Sequence, residues 1–351
     1  MRHTPANISR LLQKVSRSFG LSLRLLPTAL RAPISLAYLL ARIADTIADT
    51  PDQPTARRLD LLGRLQQAFQ TSQGFAALDQ GLRDFAQHVP DPHERVLLSQ
   101  GPVCLDALAQ LPAPDQAAIR QVLDAITEGQ RWDLSALDDA QRGVPSREEL
   151  DRYTWLVAGS VGEFWTRMCE MHLHDWHTGT VPTLMQWGAS YGKGLQRLNI
   201  LRDAGRDLRH GRCYWPAQEL ESVGLDSSRL CEAAQSGDLA TLERLRPLFE
   251  VWVQVIQAQL HDGLRYSLAL RGWRLRLASA LPCLIGMHTL ALLRQAGPRA
   301  LVQHIKVPRH QVRSLLLRLL LGGVSDRLLQ RCWQSTLPQP ETAQVSARIG
   351  T

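Results

Sequence analysis

QRLNILRDAGRDLRHGRCYWP, residues 196 to 216, is the stretch whose reading decides the fold. Gln196, Asn199, Asp203 and Asp207 follow one another at spacings of three, four and four. On an α-helix such positions share one face. Leu195, Leu198, Ile200, Leu201 and Leu208 take the remaining faces. The segment therefore predicts a helix that is apolar except for one polar stripe, turned toward water or toward a polar cavity. Two aspartates four residues apart repel each other by roughly a few tenths of a kcal/mol on an exposed helix, and by more once desolvated. Something must offset that repulsion.

The same device occurs a second time. ARIADTIADT, residues 41 to 50, places Tyr38, Arg42, Asp45 and Asp49 on one stripe, at spacings of four, three and four. Ile34, Leu36, Leu39, Leu40, Ile43 and Ile47 surround it. A single D-x-x-x-D on a helix usually reads as a solvated face, and here Arg42, Arg202 and Arg206 stand near enough in sequence to pair with the aspartates. Two such motifs, each in an apolar helix and each beside an arginine, also fit a divalent cation. Mg²⁺ takes one or two carboxylates and keeps the rest of its shell for water and phosphate oxygens. A diphosphate bridging such ions would be neutralised as a leaving group. The pattern alone leaves both readings open.

The rest of the chain is helical in its periodicity. SREELDRYTW (146–155) opens with Ser146 and Glu149 in a capping-box arrangement. Residues 239–270 read as one long helix or two, with Pro247 inside. Breaks fall near 51–54, 90–92 and 112–114, at 142–145 and at 210–216, all of loop length. No run of alternating strands appears, so the fold class is all-α. Residues 1–335 read as a single domain and 336–351 as a fraying, Pro-rich tail. YTWLVAGSVGEFW (153–165) carries Ala158, Gly159 and Gly162 inside a helix, which suggests close packing or room kept for a ligand. The hydroxyl of Tyr153 would line the same space.

Of 351 residues 44% are hydrophobic and 21% charged, with a formal net charge of +7. That composition supports a large core and favours an anionic partner. No helix-turn-helix, zinc or RNP-type signature is present, so no nucleic-acid partner is expected. The six cysteines are scattered without metal-site spacing, which reads as reduced thiols in a cytoplasmic protein. The first 17 residues hold no apolar secretory core. The longest uncharged apolar run, 277–293, is short for a membrane span and contains Pro282 and His288, so it reads as a core helix. Residues 304–333 are basic and apolar with Asp326 as their one acid, and would suit contact with an anionic membrane surface. A non-catalytic, membrane-associated helical protein is the rival reading from another class.

SRSFG (16–20), ARIADTIAD, YTWLVAGSVGEFW and GLQRLNILRDAGRDLRHGRCYWP together resemble the squalene/phytoene synthase family, over roughly residues 16 to 320. DTIAD, ASALPCLIGMHTLALL (278–293) and HIKVPRHQV (304–312) are most similar to the squalene synthases within it. The resemblance implies a single-domain isoprenoid synthase fold, a helical bundle around a central apolar cavity. It implies two farnesyl diphosphates joined head to head through presqualene diphosphate, then reduced by NADPH to squalene. Asp45, Asp49, Asp203 and Asp207 would hold Mg²⁺. Ser18, Arg42, Arg202, Arg212 and Asn199 would serve the diphosphates and their metal. Tyr38 and Tyr153 would flank the carbocation. Lys306 and Arg309 would meet the NADPH phosphate.

There are departures from the family pattern. Trp155–Leu156 stands where a second aromatic often precedes the V-A-G run, and Ala278 stands where squalene synthases carry an aromatic. The basic cluster for NADPH is thinned to Lys306 and Arg309. A synthase ending at presqualene diphosphate, dehydrosqualene or phytoene is therefore the alternative within the family. The carboxyl-terminal anchor of eukaryotic squalene synthases has no counterpart, which fits an enzyme working at the cytoplasmic face of a membrane.

Overall fold

The computed structural model describes residues 11, 12, 15, 23, 25–50, 52–71, 75–137, 143–303 and 305–338. Ser18 and most of the expected tail lie outside these residues. Every regular element among them is helical. The longer ones are α1 (Thr28–Ala48), α2 (Thr55–Gln70), α3 (Phe75–Ala86), α4 (Pro92–Ser99), α5 (Gly101–Ala109) and α6 (Ala113–Ala136). They continue as α7 (Arg147–Thr154), α8 (Ser160–His172), α9 (Val181–Arg209), α10 (Ala217–Ser222), α11 (Ser227–Ser236), α12 (Leu239–Glu243), α13 (Arg246–Ala269), α14 (Trp273–Ala296), α15 (Arg309–Leu321) and α16 (Asp326–Gln334). A π-turn, Trp155–Gly159, joins α7 to α8, and a 3-10 turn, Gly297–Leu301, follows α14. Two isolated bridges, Val144 with Pro216 and His177 with Leu270, are the only strand-like pairings among the described residues.

Among the described residues the expected breaks fall between helices or in their first turns, and Gln100 adds one that periodicity did not signal. Residues 239–270 form two helices. Pro247 sits in the first turn of α13, where its missing N–H costs no hydrogen bond. The capping box is only half made. The Ser146 hydroxyl accepts from the Glu149 N–H at 3.2 Å, but the Glu149 carboxylate turns away and accepts from Trp132 Nε1 at 2.9 Å.

Two apolar cores result. One gathers α1 to α6 with the ends of α8, α9, α13 and α14, and the other gathers α7 with most of α9 and α10 to α16. Leu39, Leu40, Ile43 and Ile47 of α1 are fully buried. Such side chains each contribute about 1.5–3 kcal/mol by leaving water. Helices α9, α13 and α14 run through both cores, as does the 147–172 segment, so the seam between the cores is built from them.

Glycines let that seam close. A Cβ on Gly162 would lie 1.9 Å from the Gly188 carbonyl oxygen, and one on Gly192 would lie 2.2 Å from that of Ala158. Backbones of α8 and α9 meet there directly. The π-turn just before it adds a residue to one helical turn and shifts which side chains face the seam. Trp273–Leu301 is long and apolar enough to cross a membrane by length and composition, yet 67% of its most apolar window is buried inside the fold. All six cysteines are free and buried.

Candidate active site

Two cavities open in the seam. The first, of about 360 Å³, is lined by Tyr38, Arg42, Asp45 and Asp49 of α1. Gln130 and Asp133 of α6, Tyr153 of α7, Phe164 and Trp165 of α8 and Gln196 of α9 complete its walls with several aliphatic side chains. The stripe read from residues 38–49 thus faces a cavity, because the opposite face of α1 is held in the first core. The second cavity, of about 300 Å³, is almost wholly apolar. Gly162, Gly188, Gly192, Tyr191, Asn199, Tyr266, Ala278 and Pro282 line it. Val157, Val161, Trp165 and Gln196 border both, so the two spaces adjoin.

The electrostatics of the first cavity are set by carboxylates without enough partners. Asp45 accepts from Arg42 Nη1, and Arg42 Nη2 reaches Glu94. Arg42 Nε and Gln130 Oε1 are buried without partners. Burial, then Arg42, dominate the environment of Asp45, and burial wins, pushing its carboxyl upward. Burial, followed by the neighbouring charges of Asp45 and Asp133, pushes Asp49 up to about 7. Both carboxylates remain open to the cavity, with 40% of the Asp45 side chain accessible. Tyr153 is buried and stacks between Trp132 and Tyr214, at centroid distances of 5.0 and 5.9 Å. Burial, with Asp133 next in weight, keeps its phenol protonated.

The second acidic stripe is placed differently. Gln196 and Asn199 face the cavities, while Asp203 and Asp207, one and two turns further along α9, line neither. Arg202 folds onto Asp203 through Nε and Nη2, at 3.1 and 2.7 Å. Arg206 lies 3.7 Å from Asp203 and 3.5 Å from Asp207. Burial pushes the Asp207 carboxyl up, against the pull of Arg206 and Arg212. The pairing of arginines with aspartates read from the sequence is therefore present in both stripes. Among the described residues no three carboxylate, histidine or cysteine side chains converge as a metal cage. The oxygen donors of Asp45, Asp49 and Gln130, one of them orphaned, nevertheless suit Mg²⁺, which is held by one or two carboxylates together with substrate oxygens.

Arg212 occupies the loop after α9 and links the two stripes. Its Nη2 donates to Asp133 and, at 2.9 Å, to the Tyr214 hydroxyl. Its charge acts on both Asp49 and Asp207. Sequence reading missed Asp133, Glu94 and Gln130, because each lies on a helix with no repeated motif. Asp151, also missed, accepts from Lys193 at 2.7 Å and Arg197 at 2.6 Å and ties α7 to α9. Lys306 and Arg309 are exposed and line neither cavity. Ala278, the departure from the family pattern, is a wall of the second cavity.

Comparison with known proteins agrees with this architecture. The family model described as squalene/phytoene synthase matches residues 12–312. A squalene synthase of Schizosaccharomyces pombe is 24% identical over 362 residues, covering 99% of this chain and 74% of that protein. A 15-cis-phytoene synthase of Synechococcus elongatus is 29% identical over 263 residues, covering 71% of this chain and 74% of that protein. The structure of TcSQS with the ligand E5700 superposes with a TM-score of 0.73 at 21% identity, over 94% of this chain and 89% of that one. The bundle is an isoprenoid synthase fold. With a match over most of its length, the chain belongs to the squalene/phytoene synthase family, a family of prenyltransferase-type enzymes.

Proposed function

We propose that this chain is a Mg²⁺-dependent synthase that joins two farnesyl diphosphates head to head through presqualene diphosphate, and that with NADPH it carries the product to squalene. The observation that carries this reading is the Tyr38–Arg42–Asp45–Asp49 stripe facing a cavity whose remaining walls are largely apolar and which adjoins a second apolar cavity. One polar edge for a charged head and two greasy spaces for chains match two isoprenoid diphosphates in chemistry.

Asp45 and Asp49 would hold Mg²⁺ at the mouth of the first cavity, with Asp203 and Asp207 serving a second group of ions at the end of α9. When bound, the metal would neutralise the diphosphate so that it can depart. Arg212 would meet the leaving group, and Asn199 would support the metal from the wall it shares with the second cavity. Phe164, Trp165 and the aliphatic walls keep water from the allylic cation, which water would trap. Tyr153, protonated and held between two rings in the wall of the first cavity, would line the region where the carbocation forms. Lys306 and Arg309 are exposed and line neither cavity, and would meet the phosphate of NADPH from outside them. Ala278 in the wall of the second cavity, where squalene synthases carry an aromatic, favours, as second reading, a synthase whose product needs no NADPH.

Purified protein incubated with farnesyl diphosphate and Mg²⁺, with and without NADPH, decides between these by product mass. Squalene only with NADPH supports the first reading. Presqualene diphosphate or a dehydrogenated C30 product under both conditions supports the second. Asp45→Asn and Asp203→Asn should each lower turnover by about a hundredfold or more while the fold survives, as circular dichroism would show. Wild-type rates in both would remove the metal assignment, whereas no consumption of farnesyl diphosphate by the unaltered protein would leave the non-catalytic rival.

A further inference from the structure

We propose that Asp133 is a positioning residue that aims Arg212 at the anionic end of the substrate. The inference rests on the diphosphate reading above and adds a residue that belongs to neither acidic motif.

Three arginines were expected at the diphosphate, and their side chains are engaged differently. Arg42 has Nη1 on Asp45, Nη2 on Glu94 and a buried Nε without a partner. Arg202 closes two nitrogens onto Asp203. Arg212 alone of the three makes its hydrogen bonds through a single nitrogen. Nη2 serves both Asp133 and Tyr214, so Nε and Nη1 have no protein partner among the described residues. A guanidinium held by one corner presents its other donors in a fixed fork, which suits a phosphate.

Asp133 is what fixes that corner. Its second oxygen accepts from the Tyr214 hydroxyl at 2.6 Å, so both oxygens are occupied and the carboxylate cannot swing. The Arg212 guanidinium also lies over the Tyr214 ring, 5.9 Å from its centroid. The carboxylate itself lines the first cavity near Asp49. The backbone N–H of Arg212 bonds the Asp207 carbonyl at 2.9 Å, so the loop that carries the arginine is tethered to the second stripe. Asp133 on α6 and Asp207 on α9 thereby hold one residue from two sides of the seam. Without Asp133 the arginine is free to collapse onto Asp49 or Asp207, where it would cancel the charge needed for metal.

The test uses the full chain, farnesyl diphosphate turnover, and inorganic diphosphate with Mg²⁺ as a binding probe by calorimetry. Asp133→Asn should raise the Kd for diphosphate and the KM for substrate by about tenfold, the loss of one charge-assisted contact, while kcat falls by less than about threefold. In an Arg212→Ala background the same substitution should change Kd by less than about twofold, because the two residues act as one unit. Tyr214→Phe, which leaves the Asp133–Arg212 bond in place, should cost less than Asp133→Asn. Should Asp133→Asn fail to fold, Asp133→Glu, which keeps the charge and displaces both oxygens, is held to the same expectations. An unchanged Kd, or losses from Asp133 and Arg212 that multiply independently, overturns the proposal. A wild-type chain that binds no diphosphate with Mg²⁺ sinks the functional reading and this one with it. Normal wild-type binding with an unaffected Asp133 variant sinks this one alone.

Discussion

Asp49 concentrates the tension in the site. Although its side chain is open to solvent on one side, the cavity walls strip water from its carboxyl, and with the carboxylates of Asp45 and Asp133 they raise it from 3.8 to about 7. The folded chain therefore keeps a proton that the unfolded chain releases. Stability from this group is full below the ordinary carboxylate value and is lost as pH rises from about 4 to about 7. In metal-free protein, subtracting the Asp49→Asn melting profile from that of the parent should leave a melting-temperature difference that declines across that window. Identical pH profiles for the two proteins would show that Asp49 titrates normally. Asp45 and Asp207 are shifted in the same direction, so a residual slope will persist in the variant.

At the scale of elements, the seam depends on α8 and α9 touching backbone to backbone. A Cβ at Gly162 would overlap the Gly188 carbonyl, and neither atom belongs to a flexible side chain. Gly162→Ala must then push the helices apart or bend one. Overpacking of this kind costs about 1–3 kcal/mol, occasionally more. Chemical denaturation should show that loss. Because Gly162 and Gly188 also border the second cavity, turnover should fall with stability. An alanine variant with wild-type stability would mean that α8 and α9 approach each other less closely in solution. The π-turn at 155–159 works at the same scale, with Val157 in the walls of both cavities and Trp155 Nε1 donating to Glu163 at 2.9 Å.

Across the whole molecule, the charges on both walls make ligand binding a source of stability. The carboxylates of Asp45, Asp49, Asp133, Asp203 and Asp207 outnumber Arg42, Arg202, Arg206 and Arg212, the arginines that act on them. Mg²⁺ with inorganic diphosphate should raise the melting temperature more than either alone, since each offsets the charge of the other. At a hundred times Kd the gain is about 2.7 kcal/mol. No shift with the pair present would count against any diphosphate site. The site was legible in the sequence to the extent that it is periodic. Tyr38, Arg42, Asp45 and Asp49 face one cavity because a spacing of three and four fixes a face. Asp133, Glu94 and Gln130 were invisible because they are single polar residues whose neighbours come from distant segments.

The sequence by itself determined the helices, most of their breaks and the two polar stripes, because those follow from spacing and from proline and glycine along the chain. It also determined the family, through motifs that need no partner. Only the tertiary structure decided that one acidic pair lines the first cavity while the other lines neither, and that Arg212 is held by Asp133. Periodicity fixes which way a side chain leaves its own helix. What it meets there depends on how helices pack, and that is set by contacts such as Gly162 against Gly188 that join segments far apart in the chain.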